Sequence, residues 1–120
     1  MLYTRRLSIF VLWFLLFEGV CFAADVHQSE IDHLLRYVES TNCRYERNGT
    51  QYAGKEAAQH MRKKAEYFKD KISTAEDFIA LSATKSEITG KSYKIHCPGQ
   101  PTFHSRDWLL RELSRFRQKK

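Results

Sequence analysis

Two cysteines, Cys43 and Cys97, constrain the fold of this chain more than any other pair of residues, once the first 23 residues are set aside. Arg5 and Arg6 precede the apolar run "LSIFVLWFLLF", Leu7 to Phe17, and small residues follow. This is the three-part pattern of an export signal, with cleavage expected after Ala23. The run is about half the roughly 20 residues that a helix needs to cross a bilayer, and Glu18 and Gly19 end it. An uncleaved anchor and a lipid-anchored form cut before Cys21 are the alternatives; the latter prefers Gly, Ala or Ser ahead of the cysteine and finds Val20. Cleavage removes Cys21 and leaves an even pair in an oxidising compartment, where a disulfide is the default. Closing so long a loop stabilises the fold by about 4 kcal/mol on chain-entropy grounds. Free thiols or a metal site are the weaker alternative, because no Cys-x-x-Cys or closely paired Cys/His spacing exists.

What remains, residues 24–120, is one small exported domain, which buries about 60–65% of its unfolded surface on folding. It carries 18 basic and 13 acidic residues, a net charge of +5. In an exported protein that balance points to an anionic envelope component rather than to nucleic acid, although a solvated surface without a partner is the plainer reading. The basic residues of "HMRKK" and of the C-terminal segment are interrupted by Glu56, Glu66, Asp70 and Glu112, as on ordinary solvated helix faces.

The expected fold is α+β: about four helices packed around a small antiparallel sheet, made of a hairpin over 43–52 and a strand over 92–97. Ser29 and Asp32 resemble a capping box, and Ile31, Leu34, Leu35 and Val38 recur at helical spacing, which predicts a first helix over 30–40. Cys43, Tyr45 and Arg47 then alternate with Arg44 and Glu46, the period of a strand. Asn48-Gly49 is the strongest two-residue hairpin signal, since both residues tolerate the positive φ of a type I′ turn. A second helix is expected over 55–72 with Ala57, Ala58, Met61, Ala65, Phe68 and Ile72 inward. Thr74 and Asp77 form a second capping box, ahead of a helix that buries Phe78, Ile79 and Leu81. "KSYKIHC" reads as a strand with Tyr93, Ile95 and Cys97 on one face. After Pro98, Gly99 and Pro101, Ser105 is expected to cap a last helix with Leu109, Leu110, Leu113 and Phe116 inward.

No catalytic motif stands up. "TGKS", 89–92, lacks the glycine that a phosphate loop needs five positions before Gly90, where Lys85 stands. Ser82-Ala83-Thr84-Lys85 matches the Ser-x-x-Lys dyad of penicillin-recognising enzymes, but a chain this short cannot build their two-domain cleft. His27, His33, His60, His96 and His104 show no paired metal-ligand spacing, so neither metal nor cofactor is expected. His60 stands out, mid-helix beside Met61 with Lys63 and Lys64 on the next turn; a structural histidine is the plainer reading. The sequon at Asn48-Gly49-Thr50 is explained by the turn.

"YERNG", "AAQHMRKK", "ISTAEDFI" and "SEITGKSYKI" occur in an order and spacing that resembles the YfeK-like family of small exported bacterial proteins. The resemblance covers about Glu30 to Leu113 and implies a bacterial source and an envelope location. That family carries no established activity, so no functional residue transfers. It does draw attention to motif positions that packing does not require: Arg47, Asn48, Gly49, His60, Arg62, Lys64, Thr74, Glu76, Ser86, Gly90, Lys91 and Tyr93. Turns, caps and bends account for several; Arg47, His60, Lys64 and Lys91 are left as a candidate anion- or ligand-binding group. His60 and Lys64 share a helix face, where they could meet Arg47 and hold a carboxylate or phosphate. The expected function is that of a periplasmic or secreted, monomeric, non-enzymatic binding or accessory protein of the envelope. The competing reading is a small cell-wall hydrolase, or an inhibitor of one, with His60 as general base.

Overall fold

The computed structural model describes residues 22–119, with side chains from Val26 onward. The export signal expected over residues 1–23 therefore lies, apart from its last two residues, outside the described residues. The order of elements is α1 (Phe22–Ser40), β1 (Arg44–Arg47), β2 (Thr50–Ala53), α2 (Gly54–Tyr67), α3 (Ala75–Ser82), β3 (Lys94–His96), β4 (Phe103–His104) and α4 (Ser105–Gln118). This is the expected α+β architecture, with four helices against a four-stranded antiparallel sheet in the order β2-β1-β3-β4.

The β1–β2 connection is the Asn48-Gly49 turn, with φ of 52° and 81° at its two residues, the left-handed values a type I′ turn requires. Register then builds one apolar row across all four strands. Tyr52 opposes Tyr45, Tyr45 opposes Ile95, and Ile95 opposes Phe103. The same β1–β3 register places Cys43 beside Cys97 at one end of the ladder and, one step past the paired residues at the other end, Arg47 beside Tyr93. With a period of two, all of these side chains fall on one sheet face. The Cys43 and Cys97 sulfurs lie 2.10 Å apart, the expected disulfide.

That face packs on α2 and α4, while α1 lies along α2 and touches α3 and α4. Leu34, Val38, Met61, Phe78, Ile79, Ile95, Leu109 and Leu113 form the centre of the core. Two buried carboxylates join the helices. Glu30 of α1 takes a two-pronged bond from Arg117 of α4, which also holds Glu76 of α3. Glu112 of α4 receives Arg115 and lies 2.9 Å from His33 of α1. Arg115 donates to Glu112 and holds its carboxyl below the usual range.

The capping box of α3 is present in both directions, Thr74 Oγ1 accepting from the Asp77 amide at 3.0 Å and Asp77 Oδ2 from the Thr74 amide at 3.2 Å. Thr74→Ala is expected to cost about 1 kcal/mol, read as a lower denaturant midpoint at unchanged slope.

Several expectations need correction. Helix α1 starts at Phe22 rather than near residue 30, because nothing in "FAADVHQ" breaks a helix. Ser29 and Asp32 therefore sit mid-helix, and the Asp32 carboxylate accepts from Gln28 instead of capping. Helix α2 ends at Tyr67, and Lys69–Lys71 forms a single 3-10 turn. In α3 Leu81 is only half-buried, and Ser82 takes the inner position. The third strand is shorter than 92–97, and β4 was not foreseen: two residues carry no readable alternation. Ser105 does not cap α4. It is the first helical residue, and its buried hydroxyl lies 2.7 Å from the Tyr45 hydroxyl, a tertiary use that displaces the cap.

Candidate functional site

Arg47 falls on the core-facing side of β1, but at the strand's last residue, beyond the reach of the apolar row. A cation there must find polar partners. It finds them in His60 of α2 and Tyr52 of β2, and Lys64 follows His60 one turn along α2. Arg47 Nη1 lies 2.5 and 2.7 Å from the two ring nitrogens of His60. Arg47 Nη2 donates to the Tyr52 hydroxyl at 3.3 Å, and the guanidinium carbon lies 5.0 Å from the centre of the same ring. On the other side, Lys64 Nζ donates to the Lys85 carbonyl at 2.8 Å and to the Tyr93 hydroxyl at 3.3 Å. Tyr93 closes the cluster, its hydroxyl 3.4 Å from His60 Nε2.

Burial and the neighbouring Arg47, Lys64 and Lys63 charges, in that order, hold the His60 imidazole down at about 4. It is neutral at pH 7, so one ring nitrogen offers Arg47 a lone pair. Arg47 forms no ion pair among the described residues. Lys64 has a carboxylate only at 3.4 Å, from the half-exposed Glu87.

Two hollows meet over this cluster and share Arg47, Tyr52, His60 and Tyr93. One of about 250 Å³ adds Glu56 and Lys63; the other, about 410 Å³, adds Lys64, Glu87 and Ile88. Two further hollows hold cations already engaged. Arg62 and Lys69, between α1 and α2, pair with Glu39 and Glu66. Beside the disulfide, Arg115 pairs with Glu112 and Arg111 lies over the Phe103 ring.

Of the four residues singled out in the sequence, the structure brings Arg47, His60 and Lys64 together and leaves Lys91 outside. Lys91 is exposed, and its backbone supports the turn through Ser86 and Thr89. Sequence reading missed Tyr52, and it named Tyr93 among the motif positions without including it in the candidate group. The expected Cys43–Cys97 pair already sets an antiparallel register with Arg47 opposite Tyr93, so the signal for Tyr93 stood in the sequence. Other motif positions have structural uses. Asn48 bonds to Thr89 and Ser86, Arg62 pairs with Glu39, and Glu76 with Arg117. Among the described residues no group of three His, Cys, Asp or Glu could hold a metal ion, and no helix is long and apolar enough to cross a membrane.

Fold and cluster together define a small disulfide-linked α+β domain with a cationic, phenol-lined cleft between its hairpin and second helix. The chain belongs to a family of unknown function, DUF5329, which it matches over residues 25–117. No curated protein and no solved structure matches it.

Proposed function

We propose that this is an exported envelope protein, a monomer over residues 24–120, which binds an anionic ligand in the cleft and carries out no chemistry on it. Export is supported by the N-terminal pattern and by the cysteine pair at bonding distance. The resemblance to the YfeK-like proteins supports the envelope location. One observation carries the binding reading: Arg47 opens into a cleft with a neutral imidazole and a phenol as its partners and no carboxylate against it. A guanidinium so placed is ready to accept a carboxylate or phosphate by charge-assisted, two-pronged bonds.

The alternative, a hydrolase or inhibitor using His60 as general base, is less well supported. The ring nitrogens face Arg47 and Tyr93 rather than a serine, threonine or cysteine nucleophile. A group that titrates near 4 is also a poor proton acceptor at neutral pH.

Adding acetate or inorganic phosphate at pH 7 is expected to shift the NMR resonances of Arg47, His60, Lys64 and Tyr93. Arg47→Ala, its fold checked by the dispersion of the sheet amides, should weaken binding about tenfold or more, the loss of one charged hydrogen-bonding group. Unchanged affinity in that variant, or no shifts at the cluster, would remove the site.

A further inference from the structure

Resting on the anion-site reading above, we propose that the cleft takes a tetrahedral oxyanion, the terminal group of a phosphate or sulfate ester, together with one proton on His60. The first argument is geometric. A guanidinium has only donors, so its contact with His60 requires that the imidazole present a lone pair. In the empty cleft the neutral ring thus stands where a ligand oxygen would go, as the acceptor for Arg47. An arriving oxyanion replaces it in that role. The released nitrogen then lies beside a negative charge and can take a proton from solvent, which turns the ring into a second donor to the ligand. No bond of the ligand is made or broken.

The surroundings of His60 give this exchange its direction. Arg47 of β1, Lys64 and Lys63 of α2, and the phenol of Tyr93 face the ring, while Tyr52 of β2 reaches it through Arg47. Glu56 stands in the same hollow without a bond to the ring, and Glu87 reaches only Lys64. Cations therefore keep the empty site's imidazole unprotonated, and an added anion offsets them. The choice of a tetrahedral group follows from where the donors stand. Arg47, Lys64, Tyr52 and Tyr93 bring donors to the cleft from four different segments, β1, α2, β2 and the chain before β3. Three terminal oxygens can use such an array; the two of a carboxylate leave part of it unfilled.

Proton and anion must strengthen each other's binding by the same factor. Sulfate tests this in the intact, disulfide-bonded protein, because its own charge is constant from about pH 5 to pH 8 and any pH dependence belongs to the protein. The expected result is binding about fourfold tighter at pH 5.5 than at pH 8, which is what a coupling of about 100-fold, within the usual range, produces for a ring that titrates near 4 in the free protein. The His60 ring resonances, which titrate near 4 in the free protein, should titrate distinctly higher with sulfate bound. His60→Gln keeps an acceptor for Arg47 but cannot charge, so it should bind with an affinity independent of pH. Glycerol phosphate in solution and phosphatidic acid in vesicles present the same ester from a free and a membrane source. Preference for either supports the proposal and assigns the source. Binding of sulfate that is equal at both pH values overturns the proton linkage and leaves the anion site standing. Tighter binding of acetate than of sulfate overturns the tetrahedral preference. If none of these anions binds at either pH, the anion site itself fails.

Discussion

Replacing Cys43 and Cys97 together by alanine is expected to cost about 4 kcal/mol, the loop-closure entropy that the cross-link removes from the unfolded chain. A domain of this size has only about 5–15 kcal/mol in total. With a shift of about 4–8 °C per kcal/mol, its melting temperature should fall by roughly 20 °C. The consequence reaches beyond stability, because the disulfide and the cleft belong to one ladder. Cys43 to Cys97, Tyr45 to Ile95 and Arg47 to Tyr93 are successive same-face steps of the β1–β3 pairing. A slip of one residue in that pairing would leave Arg47 and Tyr93 on opposite faces of the sheet. β3 is only three residues long and β4 two, so few backbone bonds oppose such a slip once the staple is gone. Reduction should therefore speed amide exchange across 93–97 and broaden the Arg47 and Tyr93 resonances before global unfolding. Denaturant midpoints measured with and without reductant decide the matter: coincident curves would show that the cysteines hold nothing.

Local signals made most of this fold legible. Thr74 with Asp77, Asn48 with Gly49, and the leucines of α4 each announce an element through residues a few positions apart, and each element formed where those residues stand. The failures share a cause. Ser29 with Asp32 and Ser105 are good capping residues by type, but a cap forms only if the chain ahead leaves the helix, and "FAADVHQ" does not. Ser105 is claimed by Tyr45, 60 positions away. Phe103 and His104 become a strand only because β3 presents an open edge. Glu112 reads as a surface charge in the sequence and nothing near Glu30 marks it for burial, since what allows their burial is an arginine brought across from α4 to Glu30 and a histidine on α1 against Glu112.

The site follows the same division. His60 and Lys64 were paired by helical spacing, and Arg47 was conspicuous because no turn, packing or cross-link role explained it. Tyr52 and Tyr93 join the cluster only through strand register, which the Asn48-Gly49 turn sets for Tyr52 and the Cys43–Cys97 pair for Tyr93; neither residue type marks the cluster by itself. Lys91 shows the limit of arguing from a motif. It stands in "TGKSY", two residues from Tyr93, but on the exposed turn, and its backbone rather than its ammonium group does the holding.

Gly54→Ala is expected to destabilise the protein by about 3 kcal/mol, at the upper end of overpacking costs, although helix propensity alone favours alanine by about 1 kcal/mol. Gly54 opens α2 where that helix starts against the end of α1. A Cβ there would press into the carbonyl oxygen of Val38 and lie 3.0 Å from the Thr41 methyl group. The carbonyl cannot retreat cheaply. It accepts from the Thr41 amide at 3.3 Å, and the Val38 side chain is fully buried in the core. The start of α2 must therefore move away from α1. His60 lies less than two turns along the same helix, so the movement also changes its approach to Arg47. Two readings should change together: a lower denaturant midpoint, and a His60 titration that moves up from about 4 toward the ordinary value as burial and the Arg47 contact loosen. A neutral or stabilising Gly54→Ala would mean that α1 and α2 do not approach so closely, and the position assigned to His60 against the hairpin would fall with that approach.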